Sequence, residues 1–143
     1  MNNYIVFRTI GMFLIPVMFL FGWYVLFHGK VSPGGGFQGG AICSTAIILH
    51  TTIFGIESTR KVIPTAVLRV IACMGAFIYG VVGLICIFKG GQFLDYAVLF
   101  NSDAHLGEFV GVMAIEFGIQ ITVFAVLTLL FINLANYVNS QAK

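Results

Sequence analysis

Charged residues are scarce in this sequence. Lys and Arg together number 7 and Asp and Glu number 5, so 8% of the 143 residues are charged. Soluble domains have about 25%. The formal net charge of +2 comes without any basic cluster interleaved with aromatic residues, which excludes a nucleic-acid partner. So little charge indicates an integral membrane protein, surrounded by the lipid bilayer.

Cysteine is also rare, with 3 residues in the chain. Cys43, Cys73 and Cys86 fall within apolar runs and lack the spacing of metal ligands, so we expect buried free thiols and no metal site. The sequence also contains no catalytic constellation. We therefore expect no cofactor and no enzymatic activity of the chain itself, although it could belong to a larger redox enzyme complex.

Long apolar runs are what the chain has in abundance, with 59% hydrophobic residues. Four runs, at about 4–27, 37–55, 62–88 and 108–134, are long enough to span a bilayer as helices, which takes about 20 residues. Their continuous rather than alternating apolar character excludes a β-barrel. The first run is too long for a signal peptide and should remain. We predict an all-α fold, a single domain over 1–143 with four transmembrane helices, and a folded cap at about 90–107.

Lys and Arg are distributed unevenly between the two sides of these spans. One side holds Arg8, Arg60, Lys61 and Lys143. The other side holds Lys30 and Lys89, together with Asp95, Asp103 and Glu108. Because basic residues accumulate in cytoplasmic loops, this bias predicts that both termini lie in the cytoplasm.

Small residues recur at helical spacing on three of the four spans. The stripes are Gly36, Gly40 and Cys43 on the second span, Ala72, Ala76, Gly80 and Gly83 on the third, and Gly107, Gly111, Ala114 and Gly118 on the fourth. Such stripes allow helix backbones to approach closely in lipid. They suit packing of the four spans on one another, but their number favours docking against other membrane subunits.

Ionisable and amide side chains within the spans are candidates for ion handling, because a charge at the bilayer centre costs about 2.5–3.5 kcal/mol on insertion scales. Glu116 and Gln120 lie one turn apart on the fourth span, on a face pointing away from its glycine stripe. Glu116 suits either a structural carboxyl or one that binds protons or cations, and a cation such as Arg69 on the third span could tune it. Arg69 could equally snorkel to the surface.

Three histidines complete the set of titratable candidates. His50 continues the small-residue face of the second span and suits either a helix interface or a proton relay. His28 and His105 lie near the outer ends of their spans and are weaker candidates.

The stretch SPGGGFQGG, residues 32–40, carries five glycines and one proline between apolar runs. It matches the spacing of a dinucleotide-binding loop but lacks the strand and βαβ unit that such a loop requires. Pro33 favours an extended Ser32, the glycines allow unusual backbone, and Phe37 then starts a helix with unpaired amides. Non-helical backbone at membrane depth must be satisfied by protein or by a water-filled cavity. The stretch is therefore expected to be buried against a neighbour or to line a polar pocket.

The same stretch resembles a known family. The B subunit of multisubunit Na⁺/H⁺ antiporters, of the Mrp or Mnh type, has the pattern Gly-His-x-x-Pro-Gly-Gly-Gly-Phe-x-Gly-Gly, and residues 29–40 read GKVSPGGGFQGG. The matching positions include Pro33, Gly34, Gly35, Gly36, Phe37, Gly39 and Gly40. Residues 56–61, IESTRK, resemble the family's Ile-Glu-x-x-Arg-Lys loop, which would place Glu57, Arg60 and Lys61 in a cytoplasmic loop. Residues 116–118, EFG, resemble its acidic-Phe-Gly element, and Lys30 replaces the usual histidine.

The resemblance implies a small subunit of a Na⁺/H⁺ antiporter in a prokaryotic cell membrane. It would pack against larger membrane subunits and could line a path for Na⁺ and H⁺. The same motif occurs in subunits of membrane-bound hydrogenases and sulfane-sulfur reductases, so an antiporter module within such a complex is an alternative. A further alternative is a purely structural or assembly subunit.

Overall fold

The computed structural model describes residues 2–29, 33–100 and 103–141; Lys30, Ser32 and Lys143 lie outside them. Within these ranges the chain forms only helices: α1 (Asn2–His28), α2 (Gly36–Phe54), α3 (Ile56–Val62), α4 (Thr65–Phe88), α5 (Ala104–Gln141) and a short 3-10 helix (Tyr96–Leu99). Of the described helices, α1, α2, α4 and α5 are long and apolar enough to cross a membrane. The prediction of an all-α fold with four transmembrane helices is confirmed.

Residues 56–61, expected as a loop, form most of α3 instead. Gly55, with φ 87°, ends α2 and redirects the chain into this helix. Ile63 then takes an extended conformation, as the residue before a proline prefers. Pro64 follows as the residue preceding α4, which therefore begins at Thr65 rather than at residue 62.

Helix α5 is the centre of the bundle. It packs against α2 on one side and α4 on another, while α1 packs mainly on α2. Gly75 of α4 lies against Gly118 of α5, whereas Leu68 of α4 shares a core cluster with Ala125. Residue numbers fall along α4 as they rise along α5, so these two helices are antiparallel.

Helices α2 and α5 run parallel to each other. Gly36 lies against Glu116, Gly40 lies against Gln120, and the Ser44 and Thr128 hydroxyls are 3.1 Å apart. Numbers rise together along both helices, so α2 begins beside the middle of α5. We call the end of the bundle where α2 begins the motif end.

The segment between α4 and α5 folds as a cap, as expected. The Phe93 ring packs on Gly83, Tyr96 packs on Gly111, and the Lys89 ammonium donates a hydrogen bond to the Leu99 carbonyl. These contacts fill the space beside the glycines at the end of α4 and the start of α5. Those glycines therefore pack against the cap of the same chain.

Long apolar side chains cover the outer faces of α1 and α4. Phe13 is 79% exposed, Phe77 is 71% exposed and Phe88 is 87% exposed. Cys73 lies on this outer surface of α4, so the expectation that all three thiols are buried is wrong for it, whereas Cys43 and Cys86 are buried. These faces suit lipid or other membrane helices.

Candidate functional site

The glycine stretch is where α2 meets α5. Gly35 adopts φ 136°, a conformation that L side chains rarely take, and α2 begins at the next residue. A Cβ atom at Gly36 would overlap the carbonyl oxygen of Glu116, and one at Gly40 would lie 2.6 Å from the carbonyl oxygen of Gln120. The α2 backbone therefore rests directly on the α5 backbone, with no room for a side chain between them.

Helix α1 approaches the same stretch from its other side. A Cβ atom at Gly39 would lie 2.6 Å from the Gly22 carbonyl oxygen, and one at Gly29 would lie 2.9 Å from the Gly35 nitrogen. Three helices thus meet with minimal separation at the motif end. Of the two alternatives for the stretch, its glycines fit burial against a neighbour, because Gly35, Gly36, Gly39 and Gly40 are buried and α1 and α5 of the same chain cover them. Pro33, Phe37 and Gln38 of the same stretch are exposed.

This arrangement corrects the interpretation of the small-residue stripes. Gly36 and Gly40 face α5, while Gly107 and Gly111 face the cap. On α4 the glycine that meets α5 is Gly75, outside the expected stripe, whereas a Cβ atom added at Gly80 would meet no atom within 4 Å. The glycines of α2 and α5 are therefore used for packing within the chain, the first of the two expected uses.

Glu116 projects from this contact toward the start of α2. Its Oε1 atom lies 3.5 Å from the position that a Cβ atom on Gly35 would take. Its Oε2 atom is buried and has no hydrogen-bond partner. The first backbone N–H groups of a helix lack intrahelical acceptors and carry partial positive charge, so the carboxyl lies close to a region that favours an anion.

Gln120 lies one turn further along α5 and is 3% exposed. Its Nε2 atom donates a long hydrogen bond of 3.5 Å to the Gly22 carbonyl and contacts the Cys43 sulfur at 3.8 Å. Its Oε1 atom is buried without a partner. A cavity of about 160 Å³, lined by Gln120 and Cys43 and otherwise by apolar side chains, adjoins the amide.

His50 lies far from this cluster. It is 14 residues beyond Gly36, about 21 Å along α2 at 1.5 Å per residue. Its Nδ1 atom is 2.8 Å from the Thr59 hydroxyl oxygen, and its ring centroid is 4.7 Å from that of Phe54. The contact with Thr59 connects α2 with α3, whereas the contact with Phe54 lies within α2.

Arg69 is exposed on α4, and the structure does not bring it to Glu116. The antiparallel register puts Gly75 of α4 beside Gly118, so Arg69, six residues earlier on α4, lies further along α5, away from Glu116. Glu57, Arg60 and Lys61 are exposed on α3 at the opposite end of the bundle.

The two remaining histidines have separate surroundings. The His28 ring stacks on Tyr24 at 5.1 Å. His105 is exposed, and its backbone N–H donates to Asp103 Oδ1 at 3.0 Å at the start of α5. Across the described ranges, no group of three or more His, Cys, Asp or Glu residues could hold a metal ion.

Sequence reasoning missed the contribution of α1 to the site. Gly22 and Gly29 are seven residues apart, a spacing that puts both on one helix face, and this signal could have identified the α1 contact. The contact of Cys43 with Gln120 was also missed, because helix periodicity does not tell which faces of two helices meet.

Comparison with known proteins identifies the family of the chain. A family model described as "Domain related to MnhB subunit of Na+/H+ antiporter" matches residues 6–129. The chain belongs to this family. The match runs from α1 into α5 and includes the whole glycine stretch and both Glu116 and Gln120.

Curated relatives in this family come from strains of Staphylococcus aureus. Proteins named "Putative antiporter subunit mnhB2" in strains Newman, JH1 and USA300 are each 35% identical over 94 residues. The alignment covers 66% of this chain and 66% of each relative, slightly under two thirds of the relative's length.

Proposed function

We propose that the chain is a small membrane subunit of a multisubunit Na⁺/H⁺ antiporter, and that Glu116 binds and releases a proton during exchange. Membership of the MnhB family and the antiporter subunit names of its relatives support the first part. The observation that carries the second part is the buried, unpartnered Oε2 atom of Glu116 beside the start of α2.

The position of this carboxyl suits proton exchange. Its Oε2 atom is buried without a hydrogen-bond partner, so it has room for a proton that no neighbouring side chain already supplies. Its Oε1 atom lies beside Gly35, at the start of α2, where backbone N–H groups lack intrahelical acceptors.

The apolar outer faces of the bundle indicate what surrounds the chain. The exposed apolar side chains of α1 and α4 would lie against lipid and against larger subunits of the antiporter. We place the protein in the cell membrane with both termini in the cytoplasm, on the distribution of its basic residues. Its role is transport, with no catalytic step of its own.

Exchange measured on the whole complex tests the role of Glu116. We expect Glu116→Gln to leave the complex assembled, because shape and hydrogen-bonding capacity are kept, and to lower Na⁺/H⁺ exchange about tenfold or more or to shift its pH profile. Glu116→Asp should retain part of the activity. Exchange is followed with a pH-sensitive dye in membrane vesicles.

Glu57→Gln is the matched control, since it makes the same chemical change on the exposed surface of α3. It should leave the pH profile unchanged. If Glu116→Gln exchanges with the wild-type profile, the carboxyl is structural and the proton path runs through other subunits.

A further inference from the structure

Two buried oxygen atoms near the start of α2 lack hydrogen-bond donors. Glu116 Oε2 and Gln120 Oε1 are the buried side-chain polar atoms without a partner in the described part of the chain. The two residues are four positions apart, so their side chains neighbour each other on one face of α5. An unpaired buried acceptor is unfavourable, so each of these two oxygens requires a donor.

The Gln120 amide is oriented by its other contacts. Its nitrogen faces the Gly22 carbonyl and the Cys43 sulfur, both of which can accept a hydrogen bond. Turning the amide over would put oxygen against the Gly22 carbonyl oxygen, which is unfavourable. The Gln120 amide lies beside Gly39 and the Glu116 carboxyl beside Gly35, so the two groups occupy neighbouring levels at the start of α2.

We propose that Gln120 is the positioning residue for the proton on Glu116, whose protonated carboxyl donates its O–H to Gln120 Oε1. This inference rests on the proposed function, because it concerns the proton that Glu116 exchanges. Adding one proton to the carboxylate creates one donor, and the resulting hydrogen bond satisfies both unpartnered oxygens. The carboxylate has no such donor to offer, so Gln120 stabilises the protonated form selectively.

Other titratable groups on the elements packed against α5 have different partners. His28 of α1 stacks on Tyr24, and Tyr79 of α4 meets Phe93 edge-on at 6.2 Å. Cys43 of α2 contacts Gln120 itself, and Tyr96 of the cap packs on Gly111. The charged residues of α3 lie at the opposite end of the bundle. The α2 positions that meet Glu116 are Gly35 and Gly36, which have no side chain to supply the missing donor.

Infrared difference spectroscopy of the purified complex, recorded against pH, tests the proposal. The C=O band that disappears in Glu116→Gln belongs to the protonated Glu116 carboxyl. We expect this band at a hydrogen-bonded frequency in the wild type. In Gln120→Met, which keeps the volume but removes the amide, the band should move to higher frequency, because the carboxyl loses its hydrogen-bond acceptor.

Gln38→Met is the matched control, since Gln38 is exposed near the start of α2. It should leave the frequency of the band unchanged. An unchanged band in Gln120→Met overturns the inference while leaving the proposed function intact. A wild-type complex with no titrating Glu116 band overturns the proposed function itself. If Gln120→Met fails to assemble, the frequency of the Glu116 C=O band in the wild-type complex tests the inference instead. A wild-type band at the frequency of a carboxyl without a hydrogen bond overturns the inference.

Discussion

At Gly36 the absence of a Cβ atom determines whether α2 can reach α5. The position that a Cβ atom would take overlaps the backbone carbonyl of Glu116, which cannot move without displacing the α5 helix. Gly80 of α4 provides the contrast, because a Cβ atom there would have no atom of the chain within 4 Å. Packing within the chain therefore requires glycine at position 36 but not at position 80.

Replacing each glycine by alanine tests this difference. We expect Gly36→Ala to destabilise the complex by about 1–3 kcal/mol through overpacking, and to lower the yield of assembled complex. Gly80→Ala should be neutral or stabilising by up to about 1 kcal/mol, because alanine favours a helix. The thermal midpoint of the complex in detergent measures both. Equal midpoints for the two variants would show that the close approach at Gly36 is not required.

Individual residues were predicted from the sequence to different extents. Burial of the glycines at 35, 36, 39 and 40 followed from their backbone requirements, and the shared face of Glu116 and Gln120 followed from helical spacing. The suggested proximity of Arg69 to Glu116 failed because it depends on the register between α4 and α5. Spacing within one helix carries no information about the register between two helices.

Among the elements, α2 and α5 form the contact that builds the candidate site. Their parallel packing places Ser44 and Thr128 together, each 1% exposed or less, with hydroxyl oxygens 3.1 Å apart. The Thr128 hydroxyl also donates a hydrogen bond of 2.7 Å to the Phe124 carbonyl oxygen. Hydroxyl pairs between transmembrane helices contribute modestly, about 0.6 kcal/mol on average in double-mutant cycles.

A double-mutant cycle on this pair measures its contribution. We expect Ser44→Ala and Thr128→Val each to destabilise the complex slightly, and the double variant to lose less than the sum, with a coupling of about 0.5–1 kcal/mol. Thermal or denaturant unfolding of the detergent-purified complex gives the four stabilities. Strict additivity would mean that the two hydroxyls do not interact. It would contradict the register of α2 against α5 at Ser44 and Thr128.

The extents of the elements were harder to predict than their number. Helix α5 was expected over about 108–134 but runs from Ala104 to Gln141, about 57 Å at 1.5 Å per residue. Hydropathy marks the apolar part of a helix, whereas the polar residues that continue it carry a weaker signal. Helix α3 was missed for the same reason, since it is short and contains Glu57, Arg60 and Lys61.

At the scale of the whole molecule, the chain is a bundle whose centre is α5 and whose outer faces are apolar. Its buried contacts concentrate where α2 meets α1 and α5 and where α4 meets α5, while α1 and α4 leave large side chains exposed. Sequence composition predicted the membrane class, and the positions of the long apolar runs predicted the four spans. In the function that we propose, larger subunits of the antiporter pack against these exposed faces.

Purification of the tagged chain from its native membrane, followed by reconstitution of what is recovered, tests that central claim most directly. We predict that larger membrane subunits co-purify with it and that the recovered complex exchanges Na⁺ for H⁺ in liposomes. The chain alone should be inactive. A stable homo-oligomer of this chain that carries out the exchange without other proteins would contradict the account.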